Sequence, residues 1–98
     1  MRKGRLDQQV ERALIALMEA EEGLKVLAEQ VETWSEMRDD LKTRSLVSET
    51  PLASAEFDEM ERQLAVATGA LNRQRDEVLA RRAAYEELLE NWQPEEVV

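Results

Sequence analysis

The stretch LDQQVERALIALMEAEEGLKVLAEQVETW, residues 6–34, decides the fold, because its apolar residues recur at alternating steps of four and three. This spacing is a heptad repeat, which is typical of helices that pack along one narrow seam. The first series is Leu6, Val10, Ala13, Leu17, Ala20, Leu24, Leu27, Val31, Trp34, Arg38 and Leu41. The second series is Phe57, Met60, Leu64, Ala67, Leu71, Gln74, Val78, Arg81, Tyr85, Leu88 and Trp92. Two long α-helices are therefore predicted.

The break between the two series predicts the turn. Hydroxyl and β-branched residues cluster just before Pro51, where helix propensity falls. Thr50 is suited to cap the second helix, with Pro51 as its first helical residue. The chain is therefore expected to form a single domain over residues 1–98. Its parts are a helix over 5–45, a turn over 46–50, a helix over 51–93 and a flexible tail over 94–98.

Residue numbers test whether the second helix folds back on the first. In an antiparallel pair, facing seam residues have numbers that add up to a constant. Leu41 with Phe57, Trp34 with Leu64, Leu27 with Leu71, Ala20 with Val78 and Leu6 with Trp92 all add up to 98. The predicted fold is all-α: a two-helix antiparallel coiled-coil hairpin that pairs with a second copy into a four-helix bundle.

Polar and charged residues refine this register. Gln74 and Arg81 fall on the seam, where a polar residue can fix the register of the two helices. For Arg81 there is an alternative, in which the side chain extends its charged group to solvent. Flanking charges of opposite sign should also meet across the helices. The expected neighbours are Lys42 with Glu61, Arg44 with Glu56, and Glu21 with Arg75 and Arg82.

Composition excludes most chemistry for this chain. Its 98 residues include no cysteine and no histidine, so thiolate nucleophiles, the usual general base, thiolate metal sites and the commonest metal ligand are missing. Its net charge of −9 repels nucleic acid and anionic membranes. Carboxylates at helical spacing are interpreted as side chains on a water-exposed face of a helix, and not as ligands of a divalent cation. We expect no catalytic residues, no cofactor, no metal, no small-molecule substrate and no membrane partner, and a cytoplasmic location.

Apolar residues outside the seam mark candidate contact surfaces. A first interface is predicted at Leu14, Ile15, Met18, Leu79, Ala83 and Leu89. A secondary interface of mostly small residues is predicted at Ala16, Gly23, Val26, Val66, Ala70, Ala80 and Ala84. Contacts at the tip of the hairpin are predicted at Leu46, Val47, Glu49 and Leu52.

These surfaces favour a non-enzymatic protein–protein interaction module, a structural or adaptor protein whose partner is a second copy of itself in a homodimer. Two alternatives stay open. One is a small secretion-type chaperone or co-secreted partner that is stable only with another helical protein. The other is a regulator that inserts its acidic tip, with Asp39, Asp40 and Glu49, into a larger enzyme.

Overall fold

Two long helices account for nearly all of the chain that the structure, a computed structural model, describes, namely residues 4–92. Helix α1 spans Arg5–Ser48, 44 residues, and helix α2 spans Pro51–Asn91, 41 residues. The helices pack against each other as a hairpin, and residues 4–92 contain no strand. The predicted all-α two-helix hairpin is confirmed.

Side chains and backbone groups define where both helices begin. The Gly4 N–H donates to Asp7 Oδ2 (3.1 Å), and the Gln8 N–H donates to the Gly4 carbonyl (3.2 Å). At α2, the Ala53 N–H donates to Thr50 Oγ1 (3.2 Å). The bonds to Asp7 and Thr50 satisfy amide groups that the first helical turn leaves without a partner. The predicted role of Thr50 as the cap of α2 is confirmed.

The turn is shorter than predicted, because α1 continues to Ser48 instead of ending at 45. Glu49 adopts the left-handed conformation, with φ 50°, and its N–H donates to the Ser45 carbonyl (3.1 Å). A left-handed residue directly after the last helical residue is a common helix terminator. Residues 46–48 carry only a modest propensity penalty in a helix, so the stop is set by Glu49 and Thr50.

The end of α2 falls at Asn91, before the predicted limit at residue 93. The Trp92 N–H donates to the Leu89 carbonyl (3.2 Å), a bond across three residues that tightens the last turn. Gln93 and the predicted tail 94–98 lie outside the described residues.

The packing divides into two compact units, each with segments of both helices. The terminal unit comprises residues up to Leu24 and from Gln74, described over 4–24 and 74–92. Its core is the buried cluster of Leu17, Ala20 and Val78, with Leu24 and Tyr85 packed against it. These seam residues thus pack together where the heptad places them.

The turn unit comprises Lys25–Arg73. Its buried residues are Leu64, Ala67 and Leu71, all on α2. The seam residues of α1 in this unit, Leu27 to Leu41, are half-buried. An isolated pair of helices cannot enclose its seam from all sides, so partial burial is the expected result for this architecture.

Arg81 departs from the predicted seam. Its side chain is exposed, and its Nε lies 2.7 Å from Glu77 Oε1 one turn earlier on the same helix. Of the two interpretations of this residue, extension to solvent is therefore the correct one. A guanidinium enclosed between the helices would lose hydration that one carboxylate does not replace, so the long side chain turns outward.

Candidate functional site

Gln74 joins the two helices of the terminal unit. Its Nε2 donates to the Ala20 carbonyl (2.9 Å) from a half-buried position. A Cβ on Gly23 would lie 2.9 Å from the same Nε2, closer than such atoms approach in real proteins. A larger residue at position 23 would therefore require the Gln74 amide to move away from the Ala20 carbonyl. The seam glutamine thus links the two helices at the position where it was expected to fix the register.

This contact reverses the usual effect of replacing glycine in a helix. Alanine normally stabilises a helix interior by about 0.8–1 kcal/mol over glycine. At Gly69 we expect that gain, because a Cβ would meet nothing nearer than Arg73 Nη1 at 3.4 Å, the end of a flexible side chain. At Gly23 we expect destabilisation, because a Cβ displaces the Gln74 amide. Urea unfolding followed by circular dichroism at one low protein concentration compares Gly23→Ala with Gly69→Ala. Equal stabilisation by both changes would contradict the assigned role of Gln74.

Asp7 connects the start of α1 to the end of α2 within the terminal unit. Its Oδ1 accepts a hydrogen bond from Trp92 Nε1 (2.5 Å), and its Oδ2 accepts from the Gly4 N–H (3.1 Å). Both carboxylate oxygens are therefore engaged. The heptad placed Trp92 on the seam but gave no sign of this contact. The available signal was an aspartate three residues after Gly4, the spacing of a helix N-terminal capping pair.

The ion pairs between the two helices match the predicted pairs of flanking charges only in part. Arg82 Nη2 lies 3.9 Å from Glu21 Oε2, which confirms that pairing. Glu61 pairs with Arg38 (3.6 Å between Oε1 and Nε), where the prediction named Lys42. Arg38 reaches Glu61 because its seam position forces its guanidinium out along the side of the helix pair. Such exposed pairs each contribute about 0.2–1 kcal/mol.

The acidic residues predicted at the tip are partly neutralised. Asp39 Oδ1 lies 3.0 Å from Arg38 Nη2, and Asp40 Oδ2 lies 3.7 Å from Arg44 Nη2. Arg44, which was expected to meet Glu56, thus pairs within its own helix, one turn back. These contacts reduce the local negative charge that an acidic tip would present to an enzyme.

The first predicted interface is largely accessible in the terminal unit. We call Leu14, Ile15, Met18, Leu79 and Ala83 the terminal face. Its larger side chains have relative exposures of 37%, 54%, 60% and 62% in that order, and Ala83 is exposed too. Leu89, the sixth predicted member, is half-buried and adds less accessible area. The core of the terminal unit therefore forms without the terminal face, whose apolar area stays in contact with water.

The secondary interface is less uniform than predicted. Ala16, Gly23 and Ala70 are half-buried, whereas Val26, Val66, Ala80 and Ala84 are exposed. Gly23 is covered by Gln74, as described above. The structure thus leaves separate exposed patches in place of one continuous surface of small residues.

Val66 borders an open recess of about 290 Å³ in the turn unit, which Trp34, Glu59, Arg62 and Gln63 also line. The Glu59 carboxylate accepts hydrogen bonds from Arg62 Nη2 (2.6 Å) and Gln63 Nε2 (3.3 Å). The bond from Arg62 is the main cause that lowers the pKa of Glu59, followed by the bond from Gln63 and the charge of Arg62. The polar wall of the recess is therefore a satisfied ion pair.

The tip residues Leu46, Val47, Glu49 and Leu52 are all exposed. Val47, at 80% relative exposure, is the most accessible of the large apolar residues within 4–92. Side chains this exposed bury little area against each other, so they contribute little to closing the hairpin. They remain available to a partner.

Sequence reasoning missed a groove on α2 in the turn unit. Small, polar, charged and apolar residues all line it, and its open volume is about 450 Å³. We call it the turn-unit groove; it is lined by Arg38, Glu61, Leu64, Ala65, Thr68, Gly69 and Asn72. The signal in the sequence was Ala65 and Gly69, two small residues one turn apart, which a search for apolar residues does not detect.

No family model, curated protein or solved structure matches this chain. Within residues 4–92, no three carboxylates are grouped so that they could hold a metal ion. No helix in the same range combines the length and apolar character that a membrane crossing needs.

Proposed function

We propose that this protein is a non-enzymatic protein–protein interaction module, a structural or adaptor protein that associates with a second copy of itself through the terminal face. One observation carries the proposal. Leu14, Ile15, Met18 and Leu79 remain in water although the terminal unit has a core of its own. Neighbouring apolar side chains of this kind on a small protein are typical of contact surfaces.

The energetics favour association through this surface. Complete burial of a fully exposed side chain of this size contributes about 1.5–3 kcal/mol, and the side chains of the terminal face, at 37–62% relative exposure, would gain roughly half of that. Association costs about 4–15 kcal/mol in lost freedom of motion, so four such side chains on each copy are of the right order to offset it. Two hairpins joined in this way would form the four-helix bundle that the sequence predicts.

The test replaces two residues of the terminal face by carboxylates. Leu14→Glu with Met18→Glu is expected to convert the dimer into a monomer that remains helical, because the charges would lie in the contact but outside the hairpin core. The matched control, Leu46→Glu with Val47→Glu, places the same charges on the same helix at the tip and should leave the dimer intact. Sedimentation velocity gives the mass, and circular dichroism gives the helicity. An unchanged dimer in the first variant would refute the role of the terminal face.

A helical partner of different sequence, as for a small chaperone or co-secreted protein, is the second candidate. The charge of the terminal unit favours it, since residues 4–24 and 74–92 carry ten carboxylates and five arginines. Such an excess suits a basic partner helix. In that case the purified chain would be a poorly helical monomer, and it would gain helicity only in a complex.

A further inference from the structure

The hydrogen bonds at the turn each stay with one helix. On the α1 side, the Glu49 N–H donates to the Ser45 carbonyl (3.1 Å). On the α2 side, Thr50 Oγ1 accepts from the Ala53 N–H (3.2 Å), and the Thr50 carbonyl accepts from the Ser54 N–H (3.1 Å). These three bonds lie on one side or the other of the peptide bond between Glu49 and Thr50. The end of α1 and the start of α2 are therefore each capped without help from the other helix.

Glu49 carries the strain of the turn. Its φ of 50° lies in the left-handed region, which glycine adopts freely and in which a residue with a Cβ is disfavoured by about tenfold. Rotation about the N–Cα bond of Glu49 changes the direction in which the chain leaves α1, but it does not move the Glu49 N–H. Opening of the turn at this bond thus releases the strain and keeps the hydrogen bond to Ser45.

Side chains at the tip do little to hold the turn closed. Leu46, Val47 and Leu52 are all exposed. Side chains this exposed bury little apolar area against one another, so the closed turn gains little hydrophobic stabilisation. The hairpin is therefore held closed by the seam between α1 and α2, and not by the turn.

A second copy of the chain can make the contacts across the seam. Gln74 Nε2 donates to the Ala20 carbonyl, and Trp92 Nε1 donates to Asp7 Oδ1. Both bonds join α1 to α2. Since α1 of one copy and α2 of another present the same residues in the same register, these bonds are reproduced between chains. The closed and the exchanged forms then differ in the turn alone.

We propose that Glu49 is a hinge at which two copies of this chain exchange α2, so that α1 of each copy packs against α2 of the other. Exchange of an identical element is a low-cost route to a dimer, and short strained hinges favour it. This inference goes beyond the proposed function, because it makes no use of the terminal face.

Protein concentration decides which form prevails. A short linker holds α2 near its own α1 at an effective concentration of about 1 mM. Relief of about tenfold strain in each of two copies lowers the concentration at which exchange competes by about a hundredfold. Exchange also requires the seam to separate, so the exchanged dimer forms during refolding and dissociates slowly on dilution.

Cross-linking between chains tests the exchange, and the chain has no cysteine of its own. Arg38 Nε lies 3.6 Å from Glu61 Oε1 across the seam of the turn unit. Arg38→Cys and Glu61→Cys are therefore placed on separate chains, one with a size tag, and the two are refolded together from urea at about 1 mM. A short bis-maleimide is added after dilution. Both chains also carry Leu14→Glu and Met18→Glu, which block contact through the terminal face.

A single chain with both cysteines is the positive control, because cross-linking within it shows that the seam has formed and that the reagent spans it. We expect a cross-linked product between the two single-cysteine chains. Glu49→Val and Glu49→Gly, made in the same background, change the strain in opposite directions. Across a series of protein concentrations, the valine should raise the association constant of the exchanged dimer and the glycine should lower it, each by at least about fivefold.

Two results would overturn the proposal. One is efficient cross-linking within the positive control with no product between chains, even when Glu49→Val is present. The other is an equal association constant for Glu49→Gly and Glu49→Val, because the turn would then not drive the exchange. Neither result bears on the proposed function, which fails instead if the chain with an intact terminal face, purified without unfolding, is a monomer.

Discussion

Leu71→Ala is expected to lower the free energy of unfolding by about 2–5 kcal/mol, the range for removing a buried leucine side chain from a packed core. Leu71 lies in the turn unit at 6% relative exposure, and the heptad places it opposite Leu27. A hairpin of two helices has one seam, so no second core layer compensates for the cavity. Urea unfolding monitored by circular dichroism measures the loss.

Leu52→Ala is the matched control, because it makes the same change on the same helix at an exposed position. Its effect should stay within about 0.5 kcal/mol, as for most surface substitutions. Equal losses at the two positions would mean that Leu71 is not part of the seam. That outcome would contradict the register in which facing residue numbers add up to 98.

Asp7→Ala is expected to cost about 1–3 kcal/mol, because it removes the acceptor of two hydrogen bonds at once. Trp92 would lose the partner of its indole N–H, and the Gly4 amide would lose its cap. The negative charge that complements the N-terminus of α1 would also be lost. Unfolding experiments should show this loss together with fraying of the terminal unit in amide hydrogen exchange.

A double-mutant cycle separates the two contacts of Asp7. Trp92→Phe removes the indole N–H but keeps an aromatic ring on the seam. If the hydrogen bond between Asp7 and Trp92 contributes as the geometry indicates, the combined variant loses less than the sum of the two single variants. Strict additivity would show that the two residues act independently, and the connection between the helix ends would then have to be abandoned.

The heptad predicted the seam well because apolar periodicity reports which side of a helix is buried. Leu17, Ala20, Leu64, Leu71 and Val78 are buried as the numbering requires. At Arg81 the heptad left two interpretations open, and the side chain extends to solvent and pairs along its own helix. Periodicity indicates the direction of a Cβ atom, and it cannot show where a guanidinium four bonds further on will lie.

Polar contacts and the candidate sites were less predictable. The bond from Gln74 to Ala20 and the bond from Trp92 to Asp7 depend on side-chain reach across the pair, which heptad positions do not specify. The terminal face was predicted because large apolar residues stand out on a polar helix. The turn-unit groove was missed because small residues such as Ala65 and Gly69, which leave space in its lining, do not stand out in a search for large apolar side chains.

The central proposal, that this hairpin associates with itself, is tested most directly by the solution mass of the unmodified chain. Light scattering across a dilution series, with circular dichroism on the same samples, measures mass and helicity together. We predict a highly helical dimer at high concentration, twice the chain mass of 11.3 kDa, that dissociates on dilution. A helical monomer at every concentration would contradict the proposal, and a poorly helical monomer would point to a partner of different sequence.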